Sequence, residues 1–486
     1  MRGIIGAMVV LHRWLGIAFC LLFAMWFATG MVMHFVPFPS LTEAERLAGL
    51  APIDGTRVAI GPEEAIRASG LADAQRIRLI QRSDGPVYIV TGRSQLTAIS
   101  AADGAAAAIM SAKAALAEAK AHATSRGIDA SRASGADRMT DDQWSVPNGF
   151  DRHRPLYRVT LDDAAGTEIY VSSISGEIVL DTRRHERCWN LVGSVIHWIY
   201  PPVLRRHWAL WDRVVWSLSL LAATAAALGA VLGIVRVRLR SPRSISPYRG
   251  WHALHHLIGL ASTIFVLTWI FSGWLSMDHG RLFSRGQLTT TEAAVAEPLL
   301  DRSALSSAAV EQISSSVREV EWFAFDGRLY RRDRVAIGRQ ILSRLGDTPP
   351  PAQSDVLSPH DVETMTAHLA AGCDAPSIVA ATDAYAAFSL VEGAPVYRSI
   401  CSDVWFDIDG ASGIVLQRLD SSRRAYRWFY TALHTFDFPI LLSHPPMRTV
   451  LVVGLCGVGL LFSVTGIVIA WRRLLHGQVR PQRAAT

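Results

Sequence analysis

The sequence predicts an α-helical membrane protein, with four transmembrane helices in two tandem repeats and an α+β module outside the membrane in each repeat. Three observations predict it. Four long stretches carry almost no Asp, Glu, Lys or Arg, and each is long enough to cross a bilayer as a helix. Arginines cluster beside those stretches, as topology signals do. Finally, an offset of 237 lays Gly176 on Gly413, His197 on His434, Pro202 on Pro439 and His207 on His444. A long internal period of this kind marks duplicated architecture.

The first span is expected over 8–36. After Arg13 no Asp, Glu, Lys or Arg appears until Glu43. Its apolar run is about twice a signal-peptide core, and no small-residue cleavage site clearly ends it, so it reads as a retained helix. Residues 37–188 have soluble character. Pro62 opens a short helix, RIRLIQ and PVYIVTG read as a hairpin across SDG, and 105–123 is an alanine-rich helix. PLYRVTLDDAAGTEIYVSSISGEIVLDTRR then reads as strand, turn, strand, turn, strand.

Residues 189–235 form a tryptophan-crowded interfacial segment followed by the second span, which is free of Asp, Glu, Lys and Arg from Val214 to Val235. The loop 236–250 carries five arginines and no acid, so it is placed in the cytoplasm. The third span follows over 251–277. Residues 278–425 are again soluble in character, with VYRSICSDVWFDIDGASGIVLQRLD reading as strands. The interfacial segment and fourth span occupy 426–471. The tail, 472–486, carries Arg472, Arg473, Arg480 and Arg483. Both termini are therefore expected in the cytoplasm and both modules outside. Because both copies run in the same direction, their pseudo-twofold axis is expected along the membrane normal.

Composition narrows the function. The chain has 486 residues, half of them hydrophobic, and the positive charge behind its net +6 is almost all arginine, since Lys113 and Lys120 are the only lysines; arginines cluster beside the spans. That excludes a nucleic-acid surface. The five cysteines form no CxxC or CxxCH, which argues against a zinc ribbon, a thioredoxin site and covalent c-type haem. Cys373 and Cys401 can pair if their module is extracytoplasmic. Gly454, Gly457 and Gly459 lie inside an apolar helix with no preceding strand, so they are packing glycines and not a dinucleotide fingerprint.

Histidine is the chemistry-bearing residue. Sixteen are present, and ten lie in or beside the spans. Neutral imidazole is the ionisable group a bundle tolerates best, and it is the usual axial ligand of b-type haem. His12 and His34 sit at opposite ends of the first span, roughly 33 Å apart at about 1.5 Å per residue. LHRWLG at 11–16 matches LHHLIG at 254–259, so His12 falls on His255, and Thr29-Gly30 then matches Ser272-Gly273. His12 and His255 are expected to grip one haem near the cytoplasmic face. His197 and His434 are expected to grip a second near the outer face, with His34 and His279 competing at that level. His207, His444 and His279 also read as interfacial anchors, and His252 and His256 as rim residues. His122, His153, His185, His360, His368 and His476 read as solvated surface.

LHRWLG…ATG, the LHHLIG…FSG echo, ALHTFDFP, SMDHGRLFS and the closing VTGIVIAWRRL resemble motifs of the PepSY-associated transmembrane family, often labelled iron-regulated membrane proteins. GTEIYVSSISGEIVL and DVWFDIDGASGIVLQ resemble PepSY folds. The resemblance covers both halves. It implies a multi-pass protein of the cytoplasmic (inner) membrane with two periplasmic PepSY-like modules. Some members resemble ferric-siderophore reductases that hold non-covalent haem b between the spans; PepSY modules elsewhere act as peptidase-inhibitory propeptides. The stretches 105–150 and 340–395 depart from compact PepSY units.

The expected function is therefore outward electron transfer, through two haems, to periplasmic ferric iron bound to a siderophore or other chelate. The cytoplasmic parts are too short for a flavin or nicotinamide domain, so a cytoplasmic protein or a membrane quinol must be the electron donor. The rival reading is a non-enzymatic PepSY scaffold in the lipid bilayer whose edge strands bind a peptide or periplasmic partner. A transporter is disfavoured, since the spans carry no charged residue other than histidine to mark an ion path.

Overall fold

The structure, a computed structural model, describes residues 2–237, 245–281, 286–306, 313–346, 353–386 and 391–476. Arg238, Arg240 and Arg243 of the expected cytoplasmic loop lie outside these residues, as do Arg480 and Arg483 of the tail, 282–284 of the SMDHGRLFS motif and the side chain of His476. The chain divides into a helical unit, Met1–Phe38 with Cys188–Ser284 and Ala425–Thr486, and a sheet unit, Pro39–Arg187 with Arg285–Arg424.

The helical unit contains four helices long and apolar enough to cross a membrane: α1 (Arg2–Phe35), α2 (Trp208–Val235), α3 (Gly250–Leu275) and α4 (Pro445–His476). They pack in a ring, α1 on α2, α2 on α3, α3 on α4 and α4 on α1. Outward faces remain apolar, with Ile264 81 % and Val450 71 % exposed, as lipid-facing residues are. Inward, Phe27, Ala222, Val266, Trp269, Val452 and Cys456 form the core. Gly459 lets α4 approach α1, because a Cβ there would lie 2.6 Å from the Phe27 ring.

The sheet unit is α+β. Its first sheet runs β10-β9-β8-β1-β2-β3. The strands are β1 (Arg76–Arg82), β2 (Gly85–Thr91), β3 (Leu96–Ser100), β8 (Glu319–Phe325), β9 (Arg328–Ala336) and β10 (Arg339–Arg344). The β1–β2 hairpin has Arg82 opposite Gly85, across the SDG turn. The stretches 37–188 and 278–425, expected as two modules, both enter this sheet, because β1 pairs antiparallel with β8. Ile77, Leu79, Val320 and Trp322 face one core. The alternate positions of the same strands carry arginine and glutamate.

A second sheet joins β4 (Ala136–Met139), β5 (Leu156–Thr160), β6 (Glu168–Ser172) and β7 (Ile178–Thr182). A third joins β11 (Ser377–Ile378), β12 (Val396–Cys401), β13 (Val404–Asp409) and β14 (Val415–Leu419). A disulfide links Cys373 to Cys401.

Further sequence expectations need correction, among them His153, which reads from sequence as solvated surface and is half-buried with its Nδ1 out of solvent. The alanine-rich helix covers Ala112–Ser125, not 105–123: Ala106 bridges Ile99 at the sheet edge, and the Ser111 hydroxyl caps the helix at the Ala114 amide. His122 is buried, not solvated, with 3 % of its surface exposed. Its ring occupies space that only a glycine leaves open, since a Cβ on Gly49 would sit 1.9 Å from its Nδ1.

Candidate functional site

The helical unit brings the expected histidines together in two groups. In one, the rings of His197 and His434 meet edge-on, with centroids 6.3 Å apart and planes inclined by 64°. Each lies just beyond a π-helical turn, Leu191–Val195 before His197 and Arg427–Ala432 before His434. Such turns insert an extra residue and rotate the next side chains to a new direction. Two residues beyond each histidine the backbone turns left-handed, at Ile199 (φ 50°) and Phe436 (φ 55°). A bulky side chain held there costs on the order of 1–3 kcal/mol, so the surrounding packing must enforce it.

Both rings are oriented through Nδ1. Thr29 Oγ1 lies 2.9 Å from Nδ1 of His197, and Ser272 Oγ lies 3.2 Å from Nδ1 of His434. Glycine comes directly after each hydroxyl residue, and the ring packs against it: a Cβ on Gly30 would lie 3.7 Å from Cε1 of His197, and one on Gly273 3.2 Å from Cε1 of His434. The Trp26 indole donates to the His197 carbonyl at 3.0 Å. Among the described residues no hydrogen bond reaches Nε2 of either ring.

In the other group, His12 of α1 and His255 of α3 line one cavity of about 1000 Å³ inside the bundle. The two helices are diagonal in the ring, so their imidazoles enter from opposite sides. His12 Nδ1 lies 3.0 Å from the Ala225 carbonyl, and His255 Nδ1 lies 2.8 Å from the Thr465 hydroxyl. His255 also stacks on Phe462 at 4.6 Å. Small residues make the space: Gly16, Gly229, Gly233, Gly259 and Gly466 line it. A Cβ on Gly229 would fall 2.7 Å from Cε1 of His12.

The remaining histidines are engaged elsewhere. His34 Nε2 meets the Thr449 hydroxyl at 3.0 Å. His279 Nδ1 meets Asp212 at 2.5 Å and its ring packs on Trp216. Both nitrogens of His256 are taken, by Ser246 and by the Gly233 carbonyl. His252 lines the cavity, His207 stands before the first turn of α2, and His444 meets the Ile440 carbonyl.

Among the described residues no three of His, Cys, Asp and Glu converge as a bare-ion site would require. A porphyrin needs only two axial imidazoles. Here four imidazoles are tied at Nδ1, which holds each ring's orientation as a metal-ligating histidine requires. Paired imidazoles are a donor set that haem iron takes. Thr29, Ser272 and Thr465 do not stand out in the sequence as orienting groups, although the match of Thr29-Gly30 with Ser272-Gly273 is the available signal.

A model of the PepSY-associated TM region matches residues 9–473 of the chain. No curated protein matches it.

Proposed function

The chain belongs to the family of PepSY-associated transmembrane regions, and from that premise we propose that it is a b-type haem protein that passes electrons across the cytoplasmic (inner) membrane. The acceptor is periplasmic ferric iron bound to a siderophore or similar chelate. One electron reduces each ferric ion to ferrous iron, which such chelates hold more weakly. The donor is a membrane quinol or a cytoplasmic protein. The two halves are tandem copies, both termini are cytoplasmic, and the sheet unit is periplasmic.

One observation carries the reading: the imidazoles of His197 and His434 lie 6.3 Å apart, each engaged at Nδ1 and, among the described residues, without a hydrogen bond at Nε2. His197 and His434 would hold haem at the outer position, and His12 and His255 at the inner one. Haem b, when bound, supplies a reversible one-electron couple at each position. The chain's own residues orient the imidazoles, through two hydroxyls in one group and through a carbonyl and a hydroxyl in the other. Phe27, Val266 and Trp269 keep water from the bundle core between the two positions.

The test is an optical spectrum of the purified protein in detergent, oxidised and reduced, with the haem-to-protein ratio. About two haems per chain are expected from the two imidazole pairs. His12→Ala and His197→Ala should each remove part of the signal, and a ferric chelate should reoxidise the reduced protein. A colourless, well-folded protein from cells with ample haem overturns the reading and leaves a PepSY binding scaffold.

A further inference from the structure

The cavity between His12 and His255 is charged at one end. Arg13, Arg236, Arg472 and Arg473 line it there, where α1 and α3 begin and α2 and α4 finish. Much of the remaining lining is apolar, with Ile17, Phe23, Val266 and Phe462 among its residues. No Asp or Glu lines the cavity among the described residues. Nor does the sequence offer one nearby, since the stretches 1–42, 214–277 and 438–486 contain no acidic residue. The cavity thus carries four guanidiniums and no carboxylate of the chain's own. Arginine beside a membrane span is ordinarily a topology signal, which requires only that the charge stay on one side of the bilayer. That role does not require the side chain to line a cavity shared with two imidazoles.

Two of the four arginines are equivalent in the internal repeat. The offset of 237 that lays His197 on His434 also lays Arg236 on Arg473. Arg236 directly follows α2, and Arg473 stands near the end of α4. The other two lack such a counterpart. Arg472 falls on Val235, and the match of His12 with His255 lays Arg13 on His256, whose ring nitrogens are taken by Ser246 and the Gly233 carbonyl. Arg13 and Arg472 also have aromatic seats, 5.6 Å from the Trp14 ring and 5.8 Å from the Trp251 ring. Arg236 and Arg473 are therefore to the guanidiniums of this cavity what His12 and His255 are to its imidazoles.

We propose that Arg236 and Arg473 receive the two propionate carboxylates of the haem held by His12 and His255, one arginine from each repeat. The assignment rests on the haem reading and deepens it. Haem b is an apolar ring with two carboxylates on one edge, and both are ionised at neutral pH. Carboxylates carried into an apolar cavity need cations to meet them. A guanidinium offers a carboxylate two parallel hydrogen bonds, which fixes direction as well as charge. The cavity's size, about 1000 Å³, also suits a large ligand.

The experiment uses the full-length protein in detergent, purified from haem-starved cells and carrying His197→Ala, so that binding reports the inner position. It is titrated with ferric haem and with haem dimethyl ester, whose propionates carry no charge, and binding is read from the absorption spectrum. Arg236→Gln and Arg473→Gln together should weaken haem binding by about tenfold or more. The ester should bind the double variant as it binds the parent, so the preference for haem over ester falls by the same factor. Each single variant should show part of that loss. Arg249→Gln removes a positive charge beside α3 that does not line the cavity, and it should change neither affinity. Unchanged haem affinity in the double variant overturns the proposal. So does an equal loss for haem and ester, which would make the two arginines structural, or an equal loss in Arg249→Gln, which would make them topology charges. A parent that binds neither porphyrin overturns the haem reading and this assignment together, whereas a parent that binds haem regardless of both charge changes overturns the assignment alone.

Discussion

His197 and His434, which are 237 residues apart, hold their imidazole centroids 6.3 Å from each other, and each is oriented through Nδ1 by a hydroxyl from a different membrane helix. In the proposed haem protein the hydroxyls of Thr29 and Ser272 are therefore positioning groups for the outer site. Thr29→Val and Ser272→Ala keep the shape and remove the hydrogen bond. Each should weaken haem retention at the outer site by about tenfold or more, since removing a partner of a ligating histidine typically costs that much. The haem-to-protein ratio after gel filtration checks this, with the signal lost in His12→Ala as the internal reference. Unchanged retention in both variants would separate the hydroxyls from ligation.

The glycines beside the histidines should differ in sensitivity. A methyl on Gly30 would meet His197 at an ordinary 3.7 Å, whereas one on Gly273 would meet His434 at a crowded 3.2 Å and one on Gly229 would meet His12 at 2.7 Å. Gly229→Ala should displace the His12 ring and remove the inner signal. Gly273→Ala should disturb the outer signal, and Gly30→Ala should leave it nearly intact. Low-temperature spectra of the reduced protein resolve the order; equal effects at all three would contradict it.

Glu319 is the keystone of the charge ladder in the sheet unit. It is fully buried, and the guanidiniums of Arg46, Arg78 and Arg334 hold its carboxyl well below the usual range against the opposing effect of burial. Glu319→Gln strands part of that positive charge and should destabilise the sheet unit by about 3–5 kcal/mol. Hydrogen exchange in β1, β8 and β9 should speed up accordingly, while the four membrane helices stay protected.

Acid should loosen the contact between His122 and the short helix Glu43–Gly49. Burial, reinforced by Arg126, lowers the His122 imidazole to about 4 from its ordinary 6.5. The unfolded chain then binds a proton more readily than the folded one. The stability this neutral histidine permits is complete above pH 6.5 and is lost as pH falls through 4. The span is worth on the order of 3 kcal/mol. His122→Leu should flatten the pH dependence of hydrogen exchange in Ala112–Ser125 between those limits. A slope identical to that of the unsubstituted protein would assign the acid sensitivity to other groups.

Much of the helical unit is legible from residue order. The four spans stem from uninterrupted apolar runs, and their observed ends, Arg2–Phe35, Trp208–Val235, Gly250–Leu275 and Pro445–His476, lie within a turn or two of the expected ones. The hairpin at SDG and the three strands from Leu156 to Thr182 are equally readable, because both carry turn residues between alternating segments. The π-helical turns before His197 and His434, and the left-handed Ile199 and Phe436, have no sequence signal. Isoleucine and phenylalanine disfavour that backbone, so tertiary packing imposes it against local preference. His122 reads wrongly as surface for a similar reason: its burial depends on Gly49, far along the chain. The arginine and glutamate positions of β1, β8 and β9 alternate visibly, yet alternation ordinarily signals a solvated face. Their burial comes from the segments that pack over that face.

Residue order alone is sufficient to establish a membrane protein of this family, with four spans and histidines at both ends of the bundle. Hydropathy is a sum over neighbouring residues, and a bilayer imposes one length on every span. Which imidazoles meet, which are diverted to Thr449, Asp212 or Gly233, and which arginines surround Glu319 depend on folding in three dimensions. Those outcomes turn on the rotation of each helix about its axis and on the pairing of strands more than 200 residues apart, such as Ile77 with Trp322. No short window of sequence contains both partners of such a contact, so only packing can choose between them.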